Sequence, residues 1–457
     1  MTAVSKSTDL YAKQRKIYPK ATKGTFANFR VLSVFALLGL YYGFPWIEWN
    51  GRQAVLFDLP NRQFHYFGVT FWPHDFIYLS LLLIIAALSL FFFTALAGRL
   101  WCGYACPQTV WTKVFLWIEK AVEGERNKRM KLDRSPWSWQ KFRIKLTKHS
   151  AWFIFAAFTG YTFVGYFTPI RELSDRLIVW EVGYWEGFWV IFYSCATYLN
   201  AGKLREQVCI YMCPYARFQS AMFDKDTLII SYDAKRGEAR GSRSKKADPK
   251  SLNLGDCVDC QACVNVCPTG IDIRDGLQYQ CIACAACIDV CNDVMDKMNY
   301  PKNLIKYTTE HQDENKATRV LRPRIFIYAG ILLVLITGFS VALWHRIPLE
   351  LDIIRDRKSL YVINDRGQIE NIFTLKVLNM DQQTHHYQIT VEGINDIAVQ
   401  GKMNVKVSAG EQVSLPIRVA APESSLSAMS TDITFAIESL DNPSYRQVEV
   451  GHFIGPN

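Results

Sequence analysis

The sequence predicts a polytopic α-helical membrane protein of five spans, with a cysteine-rich insert before the fifth span and an all-β carboxyl-terminal domain. Three observations carry that reading. Half of the 457 residues are hydrophobic and 14% are aromatic, and several apolar runs approach the roughly 20 residues that cross a bilayer. Eight of the 13 cysteines fall into two matched runs between 257 and 291. Beyond 346 the texture changes to short alternating runs rich in Val, Ile and Thr, free of cysteine. The length gives room for about three domains.

Residues 1–28 form a polar, basic arm (Lys6, Lys13, Arg15, Lys16, Lys20, Lys23) without the short apolar core and small-residue cleavage site of a secretory signal. Apolar runs at 30–49, 76–98, 150–169 and 185–201 then make a four-span membrane region over 29–202, and 325–345 is the fifth span. The fourth run is the weakest, being interrupted by Glu186, Gly187 and Ser194. Lys and Arg crowd the arm and the 99–149 loop, whereas 50–75 holds only Arg52 and Arg62, and 170–184 only Arg171 and Arg176. By the positive-inside rule the amino terminus and the 203–324 insert are cytoplasmic, and 346–457 is outside. Trp46, Trp49, Trp72, Trp180, Trp185 and Trp344 sit at run ends, as an interfacial belt would. The net charge of +10 lies beside the apolar runs, so membrane lipid is the expected partner and nucleic acid is not.

Within the insert, 235–250 (Lys235, Arg236, Arg240, Arg243, Lys245, Lys246, Lys250) carries Gly and Ser with little apolar content and reads as a flexible linker into the cysteine-rich part. There the runs are Cys257-x-x-Cys260-x-x-Cys263-x-x-x-Cys267-Pro268 and Cys281-x-x-Cys284-x-x-Cys287-x-x-x-Cys291. Three thiolates at this spacing wrap one face of an iron-sulfur cube, and the fourth reaches the partner cube. This is the pattern of a bacterial two-cluster ferredoxin, placed at about 252–296. Its crossover rule gives Cys257, Cys260, Cys263 and Cys291 to one 4Fe-4S cluster, and Cys281, Cys284, Cys287 and Cys267 to the other. Disulfides suit an apparently cytosolic, basic segment badly, and zinc sites seldom repeat this spacing. One departure concerns the local turn, since Asn292 stands where the first run has Pro268.

Two further pairs are placed alike: Cys102-Gly-Tyr-Ala-Cys106-Pro107 after the second run, and Cys209-Ile-Tyr-Met-Cys213-Pro214 after the fourth. Each follows a similar phrase, Ala97-Gly98-Arg99-Leu100 and Ala201-Gly202-Lys203-Leu204, so a two-span unit is repeated. Proline is welcome at the first helical position, which makes Cys106 and Cys213 candidate caps whose thiolates meet free N–H groups and the positive helix end. Thiolates bind soft metals and exchange electrons, and Met212 would add a thioether; the bland alternative is buried structural cysteine. Cys195, in the fourth span, reads as packing. None of the eight histidines lies mid-span, which speaks against a haem held between spans. In the last domain, alternating runs at 370–377, 387–391, 404–407, 412–419, 432–437 and 447–452 suggest an immunoglobulin-like β-sandwich, a docking or folding module.

With these residues placed, the chain resembles the CcoG family, also called FixG or RdxA, accessory proteins of cbb3-type cytochrome c oxidase. The resemblance covers nearly the whole chain. It includes Gly51-Arg52-Gln53-Ala54-Val55-Leu56-Phe57-Asp58-Leu59-Pro60, both Cys-x-x-x-Cys-Pro motifs, the stretch from Ser231-Tyr232-Asp233 through Arg236-Gly237-Glu238 to Arg240-Gly241, the two cluster runs and the outer domain. It implies a bacterial inner-membrane oxidoreductase that takes electrons from a cytoplasmic donor through two 4Fe-4S clusters. Cu(II) would be reduced to Cu(I) at or near Cys102, Cys106, Cys209 and Cys213, a candidate copper site. The partners implied are copper chaperones or cbb3 oxidase assembly factors, and a homo-oligomer is left open. Two other readings stay open: electron delivery to quinone or a periplasmic partner, as in the related membrane ferredoxins of nitrate and nitrous oxide reduction, and a non-catalytic assembly scaffold whose clusters sense oxygen or iron.

Overall fold

The computed structural model describes residues 16–245, 247–249, 251–356, 359–426 and 428–456, so Lys6, Lys13, Arg15, Lys246 and Lys250 of the basic segments lie outside the described residues. The chain divides into two compact units, Met1–Trp46 with Leu83–Val334, and Ile47–Leu82 with Leu335–Asn457.

Three helical segments are long and apolar enough to cross a membrane: Thr25–Trp46, Pro73–Ala97 and Pro323–Trp344. Their sides are covered with exposed Leu32, Phe35, Leu82, Leu83, Leu333 and Val334, a surface that suits lipid. The other two expected spans do not reach this standard. The helix Trp139–Val164 opens with Lys141, Arg143, Lys145 and Lys148, so only its second half is apolar, and it stops at Val164 rather than running to 169. Its partner Tyr184–Thr197 has 14 residues and then widens into a π-type turn, Tyr198–Leu204. The two pack as a close hairpin: a Cβ on Gly160 would lie 2.6 Å from the Val190 carbonyl oxygen and 2.8 Å from the Ser194 nitrogen. Small residues at such a crossing let two backbones approach, as in membrane helix pairs.

The cysteine-rich region is built on an antiparallel pair of strands, Ile229–Tyr232 and Ile305–Thr308, with helices Ala262–Val266 and Ala286–Met298. Ile230, Tyr232, Ile273, Ile288, Met295, Leu304 and Ile305 form its core. The departure at Asn292 has a plain consequence. Pro268 follows a helix of five residues that has already ended, whereas Asn292 allows the second helix to run for 13 and accepts a 2.8 Å hydrogen bond from the Asn303 N–H.

The expected flexible linker is instead a strap. The Arg236 side chain donates to Asp256 at 2.6 Å and to the Lys302 carbonyl at 2.9 Å, and Arg243 donates to the Gly255 carbonyl at 2.6 Å while stacking on Tyr300. Arginine's fork of donors can close several loop carbonyls at once, which composition alone does not reveal.

In the second unit, one sheet orders Ala398–Gln400, Gln412–Ala421, Ile369–Asn379 and Leu349–Arg355, with Val362–Ile363 beside Ile369–Asn379. The other orders Asn404–Val407, His385–Glu392, Ser430–Ser439 and Arg446–Ile454. Leu375, Val377, Tyr387, Ile417, Val419, Ile433, Phe435, Ile437 and Phe453 are fully buried, and alternation along each strand puts them on inner faces. A short meander, Val55–Asp58, Gln63–Tyr66 and Val69–Phe71, belongs to the same unit.

Candidate functional site

The two cysteine runs have one backbone between them. In the first, Asp259 and Gln261 take φ of 49° and 56°; in the second, Ala283 and Ala285, at the same two positions, take 51° and 58°. Left-handed residues on either side of Cys260 and of Cys284 reverse the chain and suit a concavity of N–H groups that takes an anion. Cys257, Cys260, Cys263 and Cys291 line one small cavity with Tyr232, Leu304 and Ile305. Cys267, Cys281, Cys284 and Cys287 line a second with Ile230, Ile271 and Ile273, and Cys263 borders both. Soft donors on otherwise mostly apolar walls fit iron-sulfur chemistry. Burial pushes the thiols of Cys263 up to about 11 and of Cys281 and Cys291 up to about 12, so their thiolate forms would need the counter-charge of a bound metal.

The second constellation shows the repeat at the level of single hydrogen bonds. The Cys106 N–H donates to the Trp101 carbonyl at 2.9 Å, and the Cys213 N–H donates to the Val208 carbonyl at 2.8 Å. Each is an i→i+5 bond that spans the Cys-x-x-x-Cys turn, wider than an α-helical turn and a frequent marker of functional sites. Cys106 then caps Pro107–Glu123 and Cys213 caps Pro214–Met222, both in extended conformation with proline at the first helical position. The residue after each proline reaches into the other repeat. Gln108 donates to the Asn200 carbonyl at 2.8 Å and the Arg205 carbonyl at 3.0 Å, and the Tyr215 hydroxyl donates to the Leu90 carbonyl at 3.1 Å.

This crossing brings Cys102, Cys106, Cys209 and Cys213 together, close enough for their charges to interact. Burial first, and the neighbouring thiols second, push Cys102 up to about 11 and Cys209 up to about 12. At Cys106 the N–H groups of Thr109 and Gln108 do favour the thiolate, but burial outweighs them and the thiol is raised. At Cys106 the expectation of a free thiolate is thus reversed in sign, because the cost of desolvating a charge exceeds what two N–H groups return. Among the described residues, no three His, Cys, Asp or Glu donors converge at the distances of a single metal ion. Cys195, expected to pack, is exposed.

The quartet lies directly against the second cluster run. A Cβ on Gly103 would fall 2.7 Å from the Ile282 carbonyl oxygen and 2.9 Å from the Cys284 Cα, so the residue between the thiols must be glycine for the loops to touch. Arg99, 5% exposed, donates to the Tyr279, Cys281 and Ala216 carbonyls and so joins both repeats to the cluster run. Tyr307 donates to the Ala283 carbonyl at 2.6 Å, and the Cys102 thiol donates to Gln219 at 3.3 Å. Arg30 donates to the Cys284 carbonyl and pairs with Asp289 at 3.5 Å, while Asp289 accepts from the Phe26 and Ala27 N–H groups at 3.2 and 2.7 Å. Sequence reasoning assigned none of these residues a role here. Arg99 could have been found, since it sits inside the repeated phrase; Arg30, Gly103, Gln219 and Asp289 act through tertiary contact and leave no local signal. A cavity of about 270 Å³ borders Cys209 and Cys284, with Val31, Val34, Leu116 and Trp117 on its apolar side and Lys113 and Glu206 on its polar side.

Comparison with known proteins places these features. Residues 204–310 match the 4Fe-4S dicluster domain, 79–123 match a 4Fe-4S binding domain, and 339–456 match the IG-like fold at the carboxyl terminus of FixG. The nitrogen fixation protein FixG of Rhizobium meliloti is 39% identical over 422 residues, 84% of this chain and 80% of its own. Protein RdxB of Cereibacter sphaeroides is 39% identical over 456 residues, 95% of each chain. Protein RdxA of the same organism is 36% identical over 457 residues, 96% of each chain.

Proposed function

The chain belongs to the family of FixG, RdxA and RdxB, an iron-sulfur redox family, and on that premise we propose that it is a cupric reductase that supplies Cu(I) for assembly of cbb3-type cytochrome c oxidase. The 4Fe-4S groups supply one-electron transfer. Cys257, Cys260, Cys263 and Cys291 hold one, and Cys267, Cys281, Cys284 and Cys287 the other, in the grouping in which they line the two cavities. The observation that carries the reading is the backbone contact of Gly103 with Ile282 and Cys284, which puts the Cys-x-x-x-Cys-Pro quartet one loop away from a cluster ligand. Copper is the substrate, reduced at or beside that quartet, and soft sulfur favours the Cu(I) product.

We read the chain as a multi-pass protein of a bacterial inner membrane with five spans, the Trp139–Val164 and Tyr184–Thr197 hairpin supplying the third and fourth. The exposed Phe153, Ile154, Phe158, Trp189, Ile191 and Phe192 on that hairpin support this. Clusters inside and sandwich outside follow from the Lys and Arg asymmetry. A cytoplasmic electron donor, copper chaperones or oxidase assembly factors are the partners this reading needs.

The test is anaerobic reduction of Cu(II) by the pre-reduced full chain, followed with a Cu(I)-specific chelator. Reduction is expected in the parent and its loss in Cys209→Ser/Cys213→Ser with the ferredoxin signals intact; no reduction by a parent with intact clusters overturns the proposal. A second reading, electron exchange with a quinone, is favoured by the cavity of about 270 Å³, whose apolar wall suits a ring and whose Lys113 and Glu206 suit its oxygens and protons. Quinol-dependent cluster reduction without copper turnover would establish that reading instead.

A further inference from the structure

We propose that Cys102, Cys106, Cys209 and Cys213 together hold a third iron-sulfur cluster of the four-iron class, beside the two of the ferredoxin insert. The inference rests on reading this quartet as an electron station, and not on copper being the acceptor.

The first support is a count of thiols. Residues 79–123 match a 4Fe-4S binding domain, yet that stretch contains just two cysteines, Cys102 and Cys106. A cube needs four ligands. The fold supplies the missing pair by crossing the two repeats through Gln108, Tyr215 and Arg99, which brings Cys209 and Cys213 to the same place.

The second support is spacing. Two thiolates on one metal ion must converge on it, and nowhere among the described residues do three such donors do so. The ferredoxin quartets share this property, because in a cube each thiolate takes its own iron. In each pair one cysteine lies within the turn and the other is the extended cap beyond it, and the i→i+5 bond that spans the pair makes that turn wider than an α-helical one. Such separation suits the corners of a cube.

The third support is an unpaired buried donor. Arg99 is 5% exposed and its Nε–H has no partner among the described residues, although its other nitrogens bond three carbonyls. It lies within electrostatic reach of Cys102, Cys209, Cys213 and Cys281. A buried N–H left without an acceptor loses its hydration and gains nothing in return. A cube bound by four thiolates is net negative and its sulfides accept N–H bonds, so this cluster gives Arg99 both a counter-charge and an acceptor. One electron received from the adjacent cluster and one passed to the acceptor return the site to its starting state, with no bond or proton exchanged.

The experiment uses the full chain, purified anaerobically in detergent and reconstituted with iron and sulfide under reducing conditions. Roughly twelve iron atoms and twelve labile sulfides per chain are expected, against roughly eight of each for two clusters. Cys106→Ser/Cys213→Ser should lose about four of each while keeping both ferredoxin clusters by Mössbauer and electron paramagnetic resonance spectroscopy. A parent that saturates at about eight iron atoms overturns the proposal whether or not the double variant folds, and so does a double variant with the parent's iron. A parent with about eight iron atoms that still reduces Cu(II) would remove the third cluster and leave the copper reading standing; about twelve iron atoms with no copper reduction would do the reverse.

Discussion

Glu119 is fully buried on the helix that follows the first Cys-Pro pair, and its carboxylate takes Arg129 at 3.0 Å and Arg205 at 3.1 Å. Burial alone would raise this acid, yet Arg205, Lys16, Arg129 and Lys148 together hold it below the usual carboxylate range. Because Arg205 belongs to the second repeat, the pair clamps the two thiol-bearing halves. Glu119→Ala strands two buried guanidinium groups and should cost about 3–5 kcal/mol, read as a lowered unfolding midpoint in detergent; an unchanged midpoint would show the clamp is idle. His65 offers a pH signature. It is buried in the meander beside Thr70 at 2.9 Å, and burial, then Arg52, depress its imidazole from 6.5 to about 4. The folded chain therefore prefers the neutral ring: this support is complete above pH 6.5 and is lost as pH falls toward 4. An NMR titration should place the His65 midpoint near 4, and one near 6.5 would refute the assignment. At this scale the cysteines were legible because metal ligation demands residue types at fixed intervals. Glu119 and Gly103 were not, since a buried acid and a close approach are made by what the fold puts opposite them.

Elements with a strong period were legible and those without were not. All six alternating runs expected in the last domain fall inside or largely inside observed strands, because alternation follows from having one face in the core. Leu349–Arg355 and Ala398–Gln400 were missed; the first mixes Glu350, Asp352 and Arg355 among its apolar residues, and both sit at sheet edges where one flank needs no partner. The hairpin of Trp139–Val164 and Tyr184–Thr197 was legible as apolar but not as to its ends, which Gly165 and the widening after Thr197 decide. In the ferredoxin insert, the unequal helices make a sharp prediction. Asn292→Pro would force the second run to imitate the first, remove a helical N–H seven residues in and take the acceptor from the Asn303 N–H. A loss of about 3 kcal/mol or more is expected, with reduced iron retention after dilution into chelator; full retention would show that the long helix is dispensable for the clusters.

For the chain as a whole, the proposed cytoplasmic side of the clusters does not depend on whether the weak hairpin crosses the membrane, by parity. If 139–204 crosses twice or not at all, the insert returns to the face it left, and only the residues near 180 change compartment. A reporter fused after Trp180, which is 91% exposed, is therefore the discriminating measurement. A periplasmic-type signal there, with cytoplasmic-type at Asp248 and periplasmic-type at Asp356, is expected for five spans; a cytoplasmic-type signal at Trp180 leaves three. The capping of the first apolar helix by Asp289 sets a schedule for biogenesis. Phe26 and its partner carboxylate are separated by 263 residues of chain, and at about 5–20 residues per second the ribosome delivers the second tens of seconds after the first. During that interval the start of the helix has no carboxylate to close it. The start of the first apolar helix is thus closed only when synthesis has reached the second cluster run, in which its carboxylate lies.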